Sequence, residues 1–268
     1  MSDVGGGTLG EGAGVLALAG KNCVVMGIQN RWSIAHAIAD QMAEAGANIA
    51  VTYVDERAGR DALTLAEKHG GKGYTCNVES DEDLDRLAAD LERDFDRVDA
   101  LVHSIGFAPA AELAGRFIDT SRDGFRVAMS VSCYSLVAAA RRIAPLMSDG
   151  GSILTLTYLG ADRAFPKYNV MGVAKAALES SVRYLAYDLG AQRVRVNAIS
   201  AGPIKTAAAR GIPGFADMYG AMLERAPLKD DFGAAQVASV AVFLASDAAS
   251  AITAETIFVD NGYHAMGM

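Results

Sequence analysis

Asn22-Cys-Val-Val-Met-Gly-Ile-Gln-Asn-Arg-Trp-Ser-Ile-Ala-His-Ala-Ile-Ala-Asp-Gln-Met-Ala-Glu-Ala-Gly-Ala-Asn-Ile-Ala-Val-Thr-Tyr53 is the stretch on which the fold turns. Asn22 to Met26 is a short apolar run with β-branched residues, which reads as a buried strand. Gly27 opens a loop, Ser33 stands where an N-cap belongs, and apolar residues recur at helical spacing from Ile34 to Ala43 until Gly46 ends the pattern. Asn48 to Tyr53 is a second apolar run. Strand and helix therefore alternate from the outset.

The alternation continues outward. Arg57 to His69 reads as a helix closed by Gly70-Gly71, Gly73 to Cys76 as a strand, Asp81 to Phe95 as a helix and Ala100 to His103 as a strand. Ser121 to Met147 reads as one long helix, Ser152 to Thr157 as a strand, Asn169 to Leu189 as a helix and Val194 to Ile199 as a strand. A less regular segment, Thr206 to Pro227, precedes a last helix at Ala234–Ala245 and a last strand at Thr256–Val259. Strands that are apolar throughout belong to a parallel sheet covered by helices on both faces. The prediction is an α/β protein: a single doubly wound, Rossmann-type domain with a seven-stranded parallel sheet over residues 20–268. Residues 1–19, with six glycines and no periodicity, read as a flexible N-terminal tail.

Composition narrows the function. With 268 residues and 51% hydrophobic content the chain can bury a large core. A net charge of −8 disfavours nucleic-acid binding, which needs clustered Lys and Arg. Cys23, Cys76 and Cys133 lie far apart in apolar surroundings, so they read as buried free thiols. Four histidines with no clustering give no expectation of a metal site. No membrane-spanning run and no leader are read from the sequence, and the expectation is a cytoplasmic protein with no membrane partner.

Chemistry concentrates in Thr155-Leu-Thr-Tyr-Leu-Gly-Ala-Asp-Arg-Ala-Phe-Pro-Lys-Tyr-Asn-Val-Met-Gly-Val-Ala-Lys175, where an apolar strand gives way to a long helix. A seven-residue helical step turns through roughly 700°, so Tyr168 and Lys175 share a face about 10.5 Å apart along the axis. A tyrosine can donate to a developing oxyanion, and a lysine can grip hydroxyls and lower the pKa of a nearby phenol. Taken alone, Tyr158, Tyr168 and Lys175 read equally well as half-buried packing.

In an open α/β sheet the ligand lies beyond the strand C-terminal ends. The turn after Met26 lacks the G-x-G-x-x-G fingerprint, yet Gly27 permits a tight turn and Ser33, at a helix N-terminus, can face a pyrophosphate. After Tyr53, an acidic pair (Asp55, Glu56) and an arginine (Arg57) compete for the ribose. His103-Ser-Ile-Gly106 and Ser200-Ala-Gly202-Pro203-Ile-Lys-Thr206 offer two more small-residue turns on the same rim. Each is also an ordinary loop exit.

Ser33-Ile-Ala, Val102-His-Ser-Ile-Gly-Phe-Ala-Pro109, Leu154-Thr-Leu-Thr-Tyr-Leu-Gly160, Tyr168-x₆-Lys175 and Val194 to Ile204 together resemble the bacterial NADH-dependent enoyl-acyl-carrier-protein reductases of the short-chain dehydrogenase/reductase superfamily. The resemblance runs from Leu18 to Met268, and the x₆ spacing with Tyr158 ten residues upstream separates it from the superfamily's commoner Tyr-x₃-Lys. It implies reduction of a trans-2-enoyl thioester on acyl carrier protein by NADH, in a homotetramer. By the same resemblance Tyr168 stabilises the enolate oxygen, Lys175 holds the nicotinamide ribose, and Tyr158 is a second catalytic tyrosine at the acyl pocket. The cofactor would lie along Gly27, Ser33, Ile34, Val54, Asn77, Val78, Ser104, Ile105, Gly106, Lys175, Ile204, Thr206, Ala207 and Ala208. Ala108, Tyr158 and Met218 would meet the substrate, and residues 206–227 would form a helical substrate lid, with Met218 and Met222 suited to an apolar cover.

Two departures bear on the cofactor. Asn77 stands where the family often has Asp, and its amide oxygen is a weaker acceptor for the adenine amino group. Val54 stands where Gln or a basic residue is common; it cannot pair with a 2′-phosphate, so NADH is favoured, while Arg57 or Arg60 leaves NADPH open. Two rival readings are a 3-oxoacyl thioester reductase, with Thr155 thirteen residues before Tyr168 in place of a catalytic serine, and a dinucleotide sensor without turnover.

Overall fold

The structure, a computed structural model, describes residues 18–206 and 215–267. Residues 1–17 of the expected tail, Ala207 and Ala208, and the Gly211–Gly214 part of the expected lid lie outside the described residues. Leu18, assigned to the tail from sequence, is fully buried, and its N–H donates to Ala45 O at 2.9 Å; the folded unit thus begins at or before it.

Seven strands form one all-parallel sheet: β1 (Asn22–Met26), β2 (Asn48–Tyr53), β3 (Lys72–Thr75), β4 (Ala100–His103), β5 (Gly151–Thr157), β6 (Val194–Ala201) and β7 (Thr256–Val259), in the order β3-β2-β1-β4-β5-β6-β7. The chain reverses direction across the sheet between β1 and β4, where Val25 pairs with Val102 and Met26 with His103. That reversal is the switch point at which a doubly wound sheet leaves a crevice.

The strand alternation splits the core in two. Cys23 and Val25 face one layer and Val24 and Met26 the other, as the two-residue period of a strand requires. The first layer holds α1 (Ile34–Glu44), α2 (Glu56–Lys68) and the last helix; the second holds α3 (Asp81–Asp94) and the helices at Ser135–Ile143 and Asn169–Leu189. Cys23, Cys76 and Cys133 are all buried and free. Burial pushes the Cys23 thiol up to about 12 and the Cys76 thiol up to about 11, so both stay protonated and inert.

The helix expected over Ser121–Met147 is broken up. It comprises α5 (Arg122–Met129), a π-helical turn at Ser130–Tyr134, α6 (Ser135–Ile143) and a 3₁₀ turn at Ala144–Leu146 that carries Pro145. By length and composition Arg122–Leu146 would suit a membrane span, but 61% of its apolar window is buried inside the fold. A short helix, α4 (Ala110–Leu113), precedes it, a feature not read from the sequence. After β5 come α7 (Asn169–Leu189), as expected, and then α8 (Phe215–Arg225) and α9 (Ala234–Ala245).

Candidate active site

The rim of the crevice is built from loops that leave the strand ends in step. Gly27 has φ +94°, and a Cβ there would run into Ser104 O and come within 2.9 Å of Ile105 Cγ1. Only glycine lets the β1 turn press so closely on the β4 exit. Ser104 N–H donates to Met26 O at 3.1 Å, carrying the sheet pairing past the ends of both strands. Ser33 caps α1: its hydroxyl oxygen accepts from His36 N–H at 3.3 Å and its hydroxyl donates to Asn30 O at 2.8 Å. The N–H groups of Ile34 and Ala35, in the first turn, have no intrahelical acceptor by helix geometry and point to where an anion would sit. Ile204 and Thr206, in the loop that leaves β6, are both buried.

At the β2 and β3 ends, Val54 is 52% exposed and shares a shallow depression with Asp55 and Arg60. Asp55 accepts from Ala58 N–H at 2.8 Å as the N-cap of α2, so its carboxylate is already committed to that helix. Asn77 turns its amide oxygen to Glu79 N–H at 3.1 Å, which leaves one lone pair for an adenine amino group. Val78 packs against the second core layer beside it.

The tyrosines meet in an apolar chamber. Tyr158 and Tyr168 have ring centroids 4.9 Å apart, edge to face, and Phe165 lies 5.2 Å from Tyr158. Leu113, Ala128, Leu159, Val170 and Met171 complete this cluster, and Ala108 and Met218, two of the expected substrate residues, pack against it. Met222, one helical turn on, does not: it is fully buried in the first core layer. Tyr168 is 6% exposed, and its phenol is pushed up by burial and then by the Glu179 carboxylate. The lowering by Lys175 anticipated from sequence is not seen in the free protein, where both causes act upward, because a buried phenolate lacks solvation; the hydroxyl stays protonated as a donor. The Tyr158 hydroxyl is buried with no hydrogen-bond partner among the described residues, and burial also pushes its pKa up. An unpaired buried hydroxyl costs about 1–3 kcal/mol, a cost that a ligand oxygen would remove.

Lys175 lies on α7, and its Nζ donates to Leu156 O at 2.8 Å and Ile105 O at 3.4 Å. An ammonium has three donors, so one remains for a third acceptor. Burial lowers its pKa to about 8, opposed by Cys133 and Glu179. Gly106 passes directly over it, where a Cβ would sit 3.3 Å from Nζ. One turn on, Glu179 accepts from the Thr157 hydroxyl at 2.7 Å. A glycine turn, a free helix N-terminus and a buried ammonium with a donor to spare fit a dinucleotide spanning the crevice.

Thr155, the position a carbonyl reductase would need for its serine, is fully buried and hydrogen-bonds the His103 ring at 3.0 Å. His103 in turn meets Ser135 Oγ at 2.8 Å. Burial, and then the Lys175 ammonium, push the His103 pKa down to about 3, so this network is neutral and structural. Sequence reasoning missed Phe165, Met171, Glu179 and Tyr263, the last packed against the tyrosine cluster from beyond β7. The aromatic next to Gly262 at a strand exit was the available signal for Tyr263.

A family model described as Enoyl-(Acyl carrier protein) reductase matches residues 27–264. The chain is 46% identical over 258 residues to the enoyl-(acyl-carrier-protein) reductase (NADH) FabI of Nostoc sp. (strain PCC 7120), covering 95% of this chain and 100% of that protein. It is 44% identical to the enoyl-(acyl-carrier-protein) reductase (NADPH) FabI of Staphylococcus aureus (strain MRSA252), over 94% and 100% of the two chains. The crystal structure of the Bacillus cereus enoyl-acyl carrier protein reductase with NADP⁺ and indole naphthyridinone superposes with a TM-score of 0.91 at 46% identity, covering 94% of this chain and 99% of that one.

Proposed function

The chain belongs to the enoyl-(acyl carrier protein) reductase family of the short-chain dehydrogenase/reductase superfamily, and from that membership and the crevice geometry we infer how its own residues carry the reaction. It is an enoyl-acyl-carrier-protein reductase of fatty-acid biosynthesis, with a nicotinamide adenine dinucleotide as cofactor and an enoyl group on acyl carrier protein as substrate. When bound, the reduced nicotinamide supplies the hydride that adds to the β-carbon of the enoyl thioester. The electron pair of the double bond then moves to the thioester oxygen, and the α-carbon takes up a proton. Tyr168 directs its protonated hydroxyl at that oxygen as charge develops, which is where a fixed donor is worth most. Tyr158 supplies a second hydroxyl to the same chamber, and the spare donor of Lys175 holds the nicotinamide ribose. Gly27, Ser33, Ile34, Ser104, Ile105, Gly106, Ile204 and Thr206 flank the cofactor, with Val54, Asn77 and Val78 at its adenosine end; Ala108 and Met218 flank the acyl chain.

The observation that carries this reading is the pair of phenols meeting edge to face in an apolar chamber, one of them with no partner for its hydroxyl among the described residues. Purified protein should oxidise NADH in the presence of a crotonyl or octenoyl thioester. Tyr168→Phe should lower kcat about 10²- to 10³-fold, the loss typical of one oxyanion donor, and unchanged turnover in that variant would sink the assignment. An exposed Val54, which cannot pair with a 2′-phosphate, supports NADH, whereas Arg60 in the same depression could take a 2′-phosphate, and the same assay with both cofactors decides between them. Residues 206–227 are read as the substrate lid because Met218 closes on the tyrosines.

The finer readings are a homotetramer and a cytoplasmic location. Aromatic exposure on α7 supports the first, with Tyr184 at 72% and Tyr187 at 86%. Unpaired, buried thiols fit the second, and recovery of the protein from a secreted fraction would contradict it.

A further inference from the structure

The segment from Phe107 to Ser121 forms a strap over the tyrosine chamber, with Ala108 and Leu113 turned inward against the rings. It is pinned at both ends. At its start, Phe107 N–H donates to Ser132 Oγ at 2.8 Å and that hydroxyl lies 2.9 Å from Phe107 O, an alignment set by the π-helical turn that carries Ser132. At its end, the Glu112 carboxylate accepts from Ser121 N–H at 3.0 Å and from the Ser121 hydroxyl at 2.5 Å, folding over Gly124, where a Cβ would collide with it. The middle is tied by the side chain of Asn169. Asn169 Nδ2 donates to Glu112 O at 3.3 Å and to Gly115 O at 3.4 Å, on either side of Leu113.

Asn169 directly follows Tyr168 and has φ +41°; Lys167, on the other side, has φ +65°. The tyrosine is therefore presented on a corner between two left-handed residues. Asparagine is among the few L-residues that accept this region, and its amide carries two N–H donors. Glycine meets only the first requirement, glutamine only the second, and aspartate would turn oxygens toward the two carbonyls.

We propose that Asn169 is a positioning residue for the acyl substrate: it ties the strap to the corner that presents Tyr168, so that Leu113 closes on the chamber at a fixed distance from the phenols. It touches no reacting atom. The inference rests on the enoyl-reductase reading, and its test separates the two.

Asn169→Gly keeps the backbone conformation and removes both ties, so folding is spared. Steady-state kinetics of the full chain with NADH should show the KM for an octenoyl thioester raised about tenfold, in keeping with two lost hydrogen bonds. The crotonyl KM should change less, because a four-carbon chain reaches less of the strap, while kcat and the NADH dissociation constant stay within about twofold, well inside the tenfold step. Asn169→Asp should reproduce the split more strongly. An octenoyl KM that stays at the wild-type value, or a crotonyl KM and NADH affinity that move by the same factor, overturns the proposal. Should the wild type turn over neither thioester, the enzymatic reading fails instead, and amide hydrogen exchange still decides the tie: faster exchange at 110–116 in Asn169→Gly supports it, and unchanged exchange there ends it.

Discussion

Lys175 carries an ammonium into a place where burial works against charge. Its acceptors at 2.8 and 3.4 Å are backbone carbonyls, and Cys133, Glu179 and, from β4, the neutral His103 stand around it. With a pKa lowered to about 8, the charged form prevails below that pH and is lost as pH rises through it. If the ammonium grips the ribose, NADH affinity should be flat below pH 8 and fall above it, and a pH series of dissociation constants reads this directly. Glu179 opposes the lowering, so Glu179→Gln should move the falling limb to lower pH while Thr157 keeps a hydrogen-bond partner in the amide. A limb that stays in place in that variant would show that the carboxylate does not act on Lys175. Glu179 itself is held above the usual carboxylate range by burial, with Thr157 and Arg183 working the other way and Asp162 adding to the rise.

The turn after β5 and the start of α7 touch with almost nothing between them. A Cβ on Gly160 would overlap the Tyr168 ring, and one on Gly172 would lie 2.7 Å from Gly160 O. Gly160→Ala should therefore displace Tyr168, costing about 1–3 kcal/mol of stability by overpacking and lowering kcat while NADH binding holds. Measured kcat equal to wild type would mean that the ring has room to retreat. The nearness of Tyr158, Gly160, Tyr168 and Lys175 was legible because they fall within one continuous stretch at a strand exit, but the shared helix face read for Tyr168 and Lys175 was not what the chain adopts: α7 starts at Asn169, whose φ of +41° takes Tyr168 off the helix. Six of the strands were legible as apolar runs bounded by turn residues, while the edge strand β3, Lys72-Gly-Tyr-Thr75, was marked mainly by its place after Gly70-Gly71 in the alternation. The π-helical turn at Ser130–Tyr134 was not, because one extra residue per turn leaves no mark in composition or period. Nor was the approach of Tyr263 to Tyr158, which depends on β7 pairing with β6 rather than on anything local. Thr155 looked like a candidate by spacing and proved to face His103, since alternate strand residues point to opposite faces of the sheet.

At the scale of the whole molecule, exposed aromatics on α7 and an acidic overall surface have to be reconciled. The homotetramer reading does so by burying Tyr184 and Tyr187 between copies, and light scattering should then return four times the chain mass of 27.9 kDa. Tyr184→Glu combined with Tyr187→Glu should yield smaller species; a monomer in the wild type would remove the reading. A different consequence follows from the way the sheet closes. Gln41 on α1 hydrogen-bonds Ala235 O and Ser239 of α9, partners 194 and 198 residues away. At about 5–20 residues per second of synthesis, α1 waits roughly 10–40 s for its neighbour to be made. During that interval Ile38, Ala39 and Met42, fully buried at the end, have no α9 to lie against. The nascent chain is thus most prone to aggregate while the ribosome is still working toward its last helix, and a holding chaperone would find its binding site on the first.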